Sequence, residues 1–153
     1  MKRTSFADMN CSIARSLEVV GEWWTMLVVR EAFRGVRRFD GFQANLGIAR
    51  NVLAARLQTL IDHGIFERHL YQDRPERFEY RLTAKGHDLY PILISLLQWG
   101  DKWACDEAGP PMKLLHDCGH EADPLYVCGH CGSNLRARTT RLEVNAGATS
   151  GTP

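Results

Sequence analysis

Two glycines fence one amphipathic stretch in the middle of the chain, and that stretch limits the fold more than any other feature. Between Gly47 and Gly64, residues Ala49 to His63 place Leu53, Leu57, Leu60 and Ile61 on one helical stripe. Asn51, Ala55, Gln58 and Asp62 lie opposite, flanked by Ala54. A short helix is predicted just before it, where Phe39, Phe42 and Leu46 recur at three and four residues and Gly47 ends the run. Just after it, Ile65 to Tyr71 and Arg77 to Leu82 read as two strands around a charged tip, with Phe78, Tyr80 and Leu82 alternating against charged residues.

The flanks complete the pattern. Residues Cys11 to Gly35 predict two helices, with Ile13, Leu17 and Val20 on the first and Trp24, Leu27, Val28 and Glu31 on the second, closed by Gly35. Thr83 caps a helix expected to run to about Cys105, kinked at the internal Pro91. Leu89, Ile92, Leu93, Leu96, Leu97, Trp99 and Trp103 give this last helix more apolar surface than a small domain can bury, which points to a second copy of the chain. Gly109, Pro110 and Pro111 break the pattern and start a separate segment. The expected organisation is a domain over 10–107, a small Cys/His-containing appendage over 108–144 and a flexible tail over 145–153. The fold class is mainly α with a small β-hairpin (α+β), a winged helix-turn-helix with a C-terminal β appendage.

Composition excludes several classes. At 44% hydrophobic and 24% charged, 153 residues suit one dominant core. The longest uncharged apolar run, Leu89 to Gly100, is well short of the roughly 20 residues of a membrane span. Lys2 and Arg3 are followed by Asp8 rather than by an apolar leader, so a cytoplasmic location is expected. No Ser/His/Asp or paired-carboxylate arrangement stands out, so no catalytic residues are assigned.

A net charge of +1 argues at first against a nucleic-acid partner, but over residues 34–81 nine arginines face six acids. Asn51, Ala54, Ala55 and Gln58 form the small, polar face that a helix needs to read base edges of double-stranded DNA in the major groove, and Arg50 can reach a phosphate or a guanine. Arg74 and Arg77 at the hairpin tip suit a narrow minor groove, and Arg37 and Arg38 suit the near backbone. A solvated surface charge is the plain alternative for each arginine alone.

These residues carry a family resemblance. Cys11-Ser-Ile-Ala-Arg-Ser-Leu17, Gly21-Glu-Trp-Trp24-Thr25, Leu27, Arg30-Glu31, Gly35 and Arg38-Phe39 resemble the opening of the HxlR family of bacterial winged-helix transcriptional regulators. Gly47-Ile48, Leu53, Arg56-Leu57, Leu60, Gly64-Ile65, Tyr80-Arg-Leu-Thr83, Gly86 and Trp99-Gly100 resemble the remainder. One departure is Ala49-Arg50, where the family often has Ser-Pro. The resemblance implies a homodimer joined through the first helix (Ile13, Leu17) and the last, with recognition helices about 34 Å apart on a pseudo-palindromic operator. It also implies a sensing role for Cys11, whose thiol Arg15 is placed to acidify, against the alternative of a small buried hydrophobe. Trp23, Trp24, Trp99 and Trp103 can line a site for a small-molecule effector, although core or interface is the commoner use of such residues.

The appendage holds Cys118, His120, Cys128 and Cys131, with His116 as an alternative partner for Cys118. Cys128-Gly-His-Cys131-Gly suits one half of a tetrahedral structural zinc site, and an unmetallated hairpin and a disulfide or redox pair are the other readings. DNA binding itself needs no cofactor. The expected function is a sequence-specific DNA-binding repressor. The second reading is a winged-helix dimer that contacts another protein through the appendage.

Overall fold

The computed structural model describes residues 5, 6, 8–143 and 145. The tail expected over 145–153 therefore lies, except for Asn145, outside the described residues. The helices are α1 (Ser12–Val20), α2 (Trp23–Phe33), α3 (Phe39–Leu46), α4 (Arg50–Asp62), α5 (Ala84–His87) and α6 (Tyr90–Trp103), with strands β1 (Phe66–Asp73) and β2 (Glu76–Leu82) between α4 and α5. The described backbone groups into two compact units, one running to Leu93 and the other starting at Ile94.

In the first unit, Glu22 caps α2 by accepting the Trp24 amide at 3.0 Å. Helix α3 stops because Gly47 adopts φ +62°, which a side chain would resist. The turn at Ile48–Ala49 then launches α4, whose Leu53, Leu57 and Leu60 are fully buried against Val28 and Val29 of α2, Phe42 of α3, Ile48, Ile65 and Phe66. Each such leucine contributes about 1.5–3 kcal/mol by leaving water, so the stripe supplies a substantial part of the cohesion in this unit.

Strands β1 and β2 pair antiparallel from Phe66↔Leu82 to Asp73↔Glu76, with an irregularity between Leu70 and Gln72. The loop before α3 joins the outer edge of β2: the Tyr80 amide donates to the Arg37 carbonyl at 2.7 Å and Arg38 bridges Glu79. Two helices in tandem, a two-stranded hairpin and this isolated bridge make the architecture a mixed α+β winged helix.

Thr83 ties the end of the hairpin to the end of α4. Its hydroxyl donates to the Gly64 carbonyl at 2.6 Å and accepts the Gly86 amide at 3.1 Å, while Lys85 Nζ donates to the His63 carbonyl at 2.7 Å. Gly86 packs so closely that a Cβ there would lie 2.3 Å from the Ile65 carbonyl oxygen. The single helix expected from Thr83 to about Cys105 is instead two, α5 and α6, and Pro91 sits in the first turn of α6 rather than in a helix interior. The cause is proline chemistry: in a continuous helix Pro91 would owe a hydrogen bond to the His87 carbonyl and its ring would strike that oxygen, so the chain ends α5 at His87 and restarts.

The second unit contains most of α6 and the appendage. Among its described residues beyond α6 there are only the isolated bridges Leu115↔Glu121 and Val127↔Asn134 and one 3-10 turn at Ala137–Thr139, so the hairpin reading of the Cys128 turn reduces to a single bridge. Gln98 Nε2 donates to the Pro124 carbonyl at 2.9 Å, and the Tyr126 hydroxyl donates to Ser95 Oγ and to Gln98 Oε1. These bonds hold the appendage to α6 within the second unit. Among the described residues no helix is long and apolar enough to cross a membrane.

Candidate nucleic-acid interface

The leucine stripe of α4 faces the core, so helical geometry turns its other side outward. Asn51, Ala54, Ala55 and Gln58 are all exposed, as expected. Gln58 is engaged: its Nε2 donates to Asp62 Oδ1 at 2.7 Å, one turn on. A bidentate contact to adenine would have to displace that bond, whereas Asn51 has no such neighbour to release in the hydrogen bonds of the described residues.

Beside the start of α4 lies an open groove between the wing and α3, lined by Arg38, Phe39, Asp40, Arg50, Tyr71, Pro75, Glu76, Arg77, Phe78 and Tyr80. Three of the arginines expected on the DNA side thus share one concavity. Two of them are steadied by aromatic rings, Arg50 over Phe39 at 4.9 Å and Arg38 over Tyr71 at 4.5 Å from the ring centres. Arg68 lies similarly over Phe78 at 4.2 Å. Sequence reading missed Tyr71 and Arg68; the signal available was that both belong to β1, whose side chains alternate beside those of β2.

Arg38 is less free than expected. Its Nε lies 3.6 Å from Glu79 Oε1, and Arg81 donates to Glu79 Oε2 at 3.0 Å. The Arg81 hydrogen bond, partly offset by desolvation and reinforced by the charges of Arg81, Arg38 and Arg37, holds the Glu79 carboxyl below its ordinary range. Burial pushes the Tyr80 phenol up. The side chains of Arg37, Arg74 and Arg77 are exposed, and Gln72 Nε2 shapes the tip by donating to the Arg74 and Pro75 carbonyls at 3.1 and 3.2 Å.

Cys11 is exposed at the N-terminus of α1. Arg15, expected to act on its thiol, donates through its guanidinium to Asn10 Oδ1 at 3.1 Å. The apolar residues expected at an interface are open to solvent: Ile13, Leu17, Leu96, Trp99 and Trp103 are exposed, and Leu93 and Leu97 half-buried. Trp23 is also exposed, while Trp24 packs against the core.

The zinc expectation requires correction. Among the described residues no group of three or more His, Cys, Asp or Glu side chains is placed to hold a metal ion, so Cys118, His120, Cys128 and Cys131 do not assemble the expected site. Within the first turn the bonding is local: His120 Nδ1 pairs with the Cys118 carbonyl at 3.2 Å, and the Cys118 amide donates to His116 Nδ1 at 3.2 Å. Cys128 and Cys131 share one turn, and hydrogen bonding from Ser133, with a smaller contribution from Cys128, outweighs desolvation and holds the Cys131 thiol below its ordinary range.

Comparison with known proteins agrees with this architecture. The model of the HxlR-like helix-turn-helix family matches residues 19–108. An uncharacterised HTH-type transcriptional regulator of Mycobacterium tuberculosis is 49% identical over 137 residues, 89% of this chain and 87% of that protein. The solved structure of PA1607, described as a candidate transcription factor, superposes with a TM-score of 0.84 at 39% identity, covering 93% of this chain and all of that one. The redox regulator HypR in its oxidised form superposes with a TM-score of 0.55 at 30% identity, over 60% of this chain and 96% of that one. With the match to its model extending from the end of α1 through α6, the chain belongs to the HxlR-like helix-turn-helix family.

Proposed function

We propose that this regulator is a homodimer that binds a pseudo-palindromic operator in the cytoplasm and represses by occlusion. The observation that carries the reading is the combination on one unit of a small, polar, exposed face on α4 with the adjacent groove of Arg38, Arg50 and Arg77. The exposed Ile13, Leu17, Leu96, Trp99 and Trp103, with Leu93 and Leu97, support the dimer, because unpaired apolar surface of this kind marks an association site. Exposure of Trp23, Trp99 and Trp103 favours that use over an effector pocket. Cys11 is exposed and its relative HypR is a redox regulator, so thiol oxidation is the proposed inducing signal, with no catalytic residue and no cofactor needed for DNA binding.

The test is fluorescence anisotropy on the DNA upstream of the protein's own gene. Asn51→Ala should lose about 1–3 kcal/mol of discrimination at one base pair. Arg74→Ala should weaken all sequences alike and reduce the salt slope by about 1. Peroxide should lower the affinity of the parent and not of Cys11→Ser. Absence of salt-sensitive specific binding would instead favour a protein-contact role for the appendage.

A further inference from the structure

Residues 104–143 follow a defined course of turns and bridges without one buried side chain. A segment with no core of its own holds its shape through local ties, and here one is available but unmade. Val127 bridges Asn134, the Cys128 amide donates to the Ser133 carbonyl at 2.8 Å and the Gly132 amide to the Cys128 carbonyl at 2.8 Å. That tight turn holds Cys128 and Cys131 at its two ends, both as free thiols, Cys131 exposed and Cys128 partly so. The ends of a four-residue turn lie within about 7 Å at Cα, which overlaps the span of about 4.4–6.8 Å that a disulfide bridges. Two residues before Cys128, Tyr126 is hydrogen-bonded to Ser95 and Gln98 of α6.

We propose that Cys128 and Cys131 are a reversible dithiol–disulfide couple, oxidised by hydrogen peroxide, whose state is transmitted through Tyr126 to α6 at Ser95 and Gln98. In the first step one thiolate attacks a peroxide oxygen; the O–O bond breaks, hydroxide leaves and takes up a proton, and a sulfenic acid remains. The second thiolate attacks that sulfur, the S–S bond forms as the S–O bond breaks, and the departing hydroxide becomes water. Two thiols give up two electrons and two protons, and peroxide becomes two molecules of water. Reversal takes a dithiol reductant by thiol–disulfide exchange. The couple is separate from Cys11 and independent of the DNA-binding reading.

The test uses full-length, pre-reduced Cys11→Ser protein treated with hydrogen peroxide and mapped by non-reducing peptide mass spectrometry. The peptide spanning Cys128 and Cys131 should lose two hydrogens, resist alkylation at both sulfurs and recover both with dithiothreitol, while Cys118 stays alkylatable. Amide exchange over 126–134 should slow on oxidation and that of 95–98 should change with it, and neither should occur in Cys128→Ser. Sulfinic or sulfonic acid in place of the internal disulfide, a bridge to Cys105 or Cys118, or a metal ion that shields both thiols before oxidant would overturn the couple. Unchanged exchange at 95–98 would overturn its transmission to α6.

Discussion

Replacing Glu31 tests what fastens the first helix of the helix-turn-helix to the body of the domain. The Glu31 side chain is fully buried in α2, yet Asn45 Nδ2 on α3 donates to its Oε2 at 2.8 Å. Arg30 donates to Oε1 at 3.0 and 2.8 Å, and Arg34 at 3.1 Å. Removing one partner of a buried ion pair costs about 3–5 kcal/mol when the other is stranded. Here the arginine side chains are 36% and 54% exposed and would rehydrate, so Glu31→Ala should fall at the low end, about 3 kcal/mol. Glu31→Gln keeps the shape and one acceptor oxygen for the arginines, and Asn45 can turn its amide to meet the new NH2. It should cost about half as much, in keeping with about 1.5 kcal/mol for a hydrogen bond that loses its charge.

The two substitutions also separate charge from packing. Burial raises the Glu31 carboxyl, but the Asn45 hydrogen bond and the two arginines outweigh it, and the group titrates below its ordinary range. A depressed folded value means the stabilisation is present above the unfolded pKa of about 4.3 and is lost as pH falls through the folded one. Urea unfolding of the parent and Glu31→Gln should therefore show a gap at pH 7 that narrows below about pH 4.3. A gap that persists undiminished in acid, or none at neutral pH, would refute the electrostatic account.

Two further substitutions address other contacts. Thr25 Oγ1 is buried with no hydrogen-bond partner among the described residues, so Thr25→Val should be neutral or stabilise by up to about 1 kcal/mol in thermal unfolding. A loss larger than that would reveal a bound water or another partner at the hydroxyl. Gly86→Ala brings a methyl to 2.3 Å from the Ile65 carbonyl oxygen and 2.9 Å from Leu82 Cδ2, and this clash should exceed the gain of about 0.5–1 kcal/mol from helix propensity. Overpacking of this kind costs about 1–3 kcal/mol, and a variant as stable as the parent would show that α5 can move away from Ile65 and Leu82.

The parts legible in the sequence are those governed by periodicity and by glycine. Leu53, Leu57 and Leu60 define the buried side of α4, and the polar face Asn51, Ala54, Ala55 and Gln58 follows from it by helical geometry alone. The break between α5 and α6 was hidden because the apolar spacing runs on from Leu89 to Leu97, while the decisive clash is between Pro91 and a carbonyl four residues earlier. Glu31 occupied an apparently ordinary place in the spacing of α2, and its burial depends on Asn45, fourteen residues away. The cysteine pattern in the appendage gave ligand types but not convergence, since spacing within one turn says nothing of the distance to another. The partners of Arg38 are not visible in the sequence because Glu79 and Tyr71 come beside it only when the hairpin folds.

The joint formed by Thr83, Lys85 and Gly86 behaves like a clasp. It fastens the carbonyls of His63 and Gly64, just past the end of α4, to the short helix α5. In the proposed dimer, such a clasp would keep each reading head rigid on its own domain. Changes there should therefore weaken binding to all operators alike, whereas changes on the α4 face alter which bases are preferred.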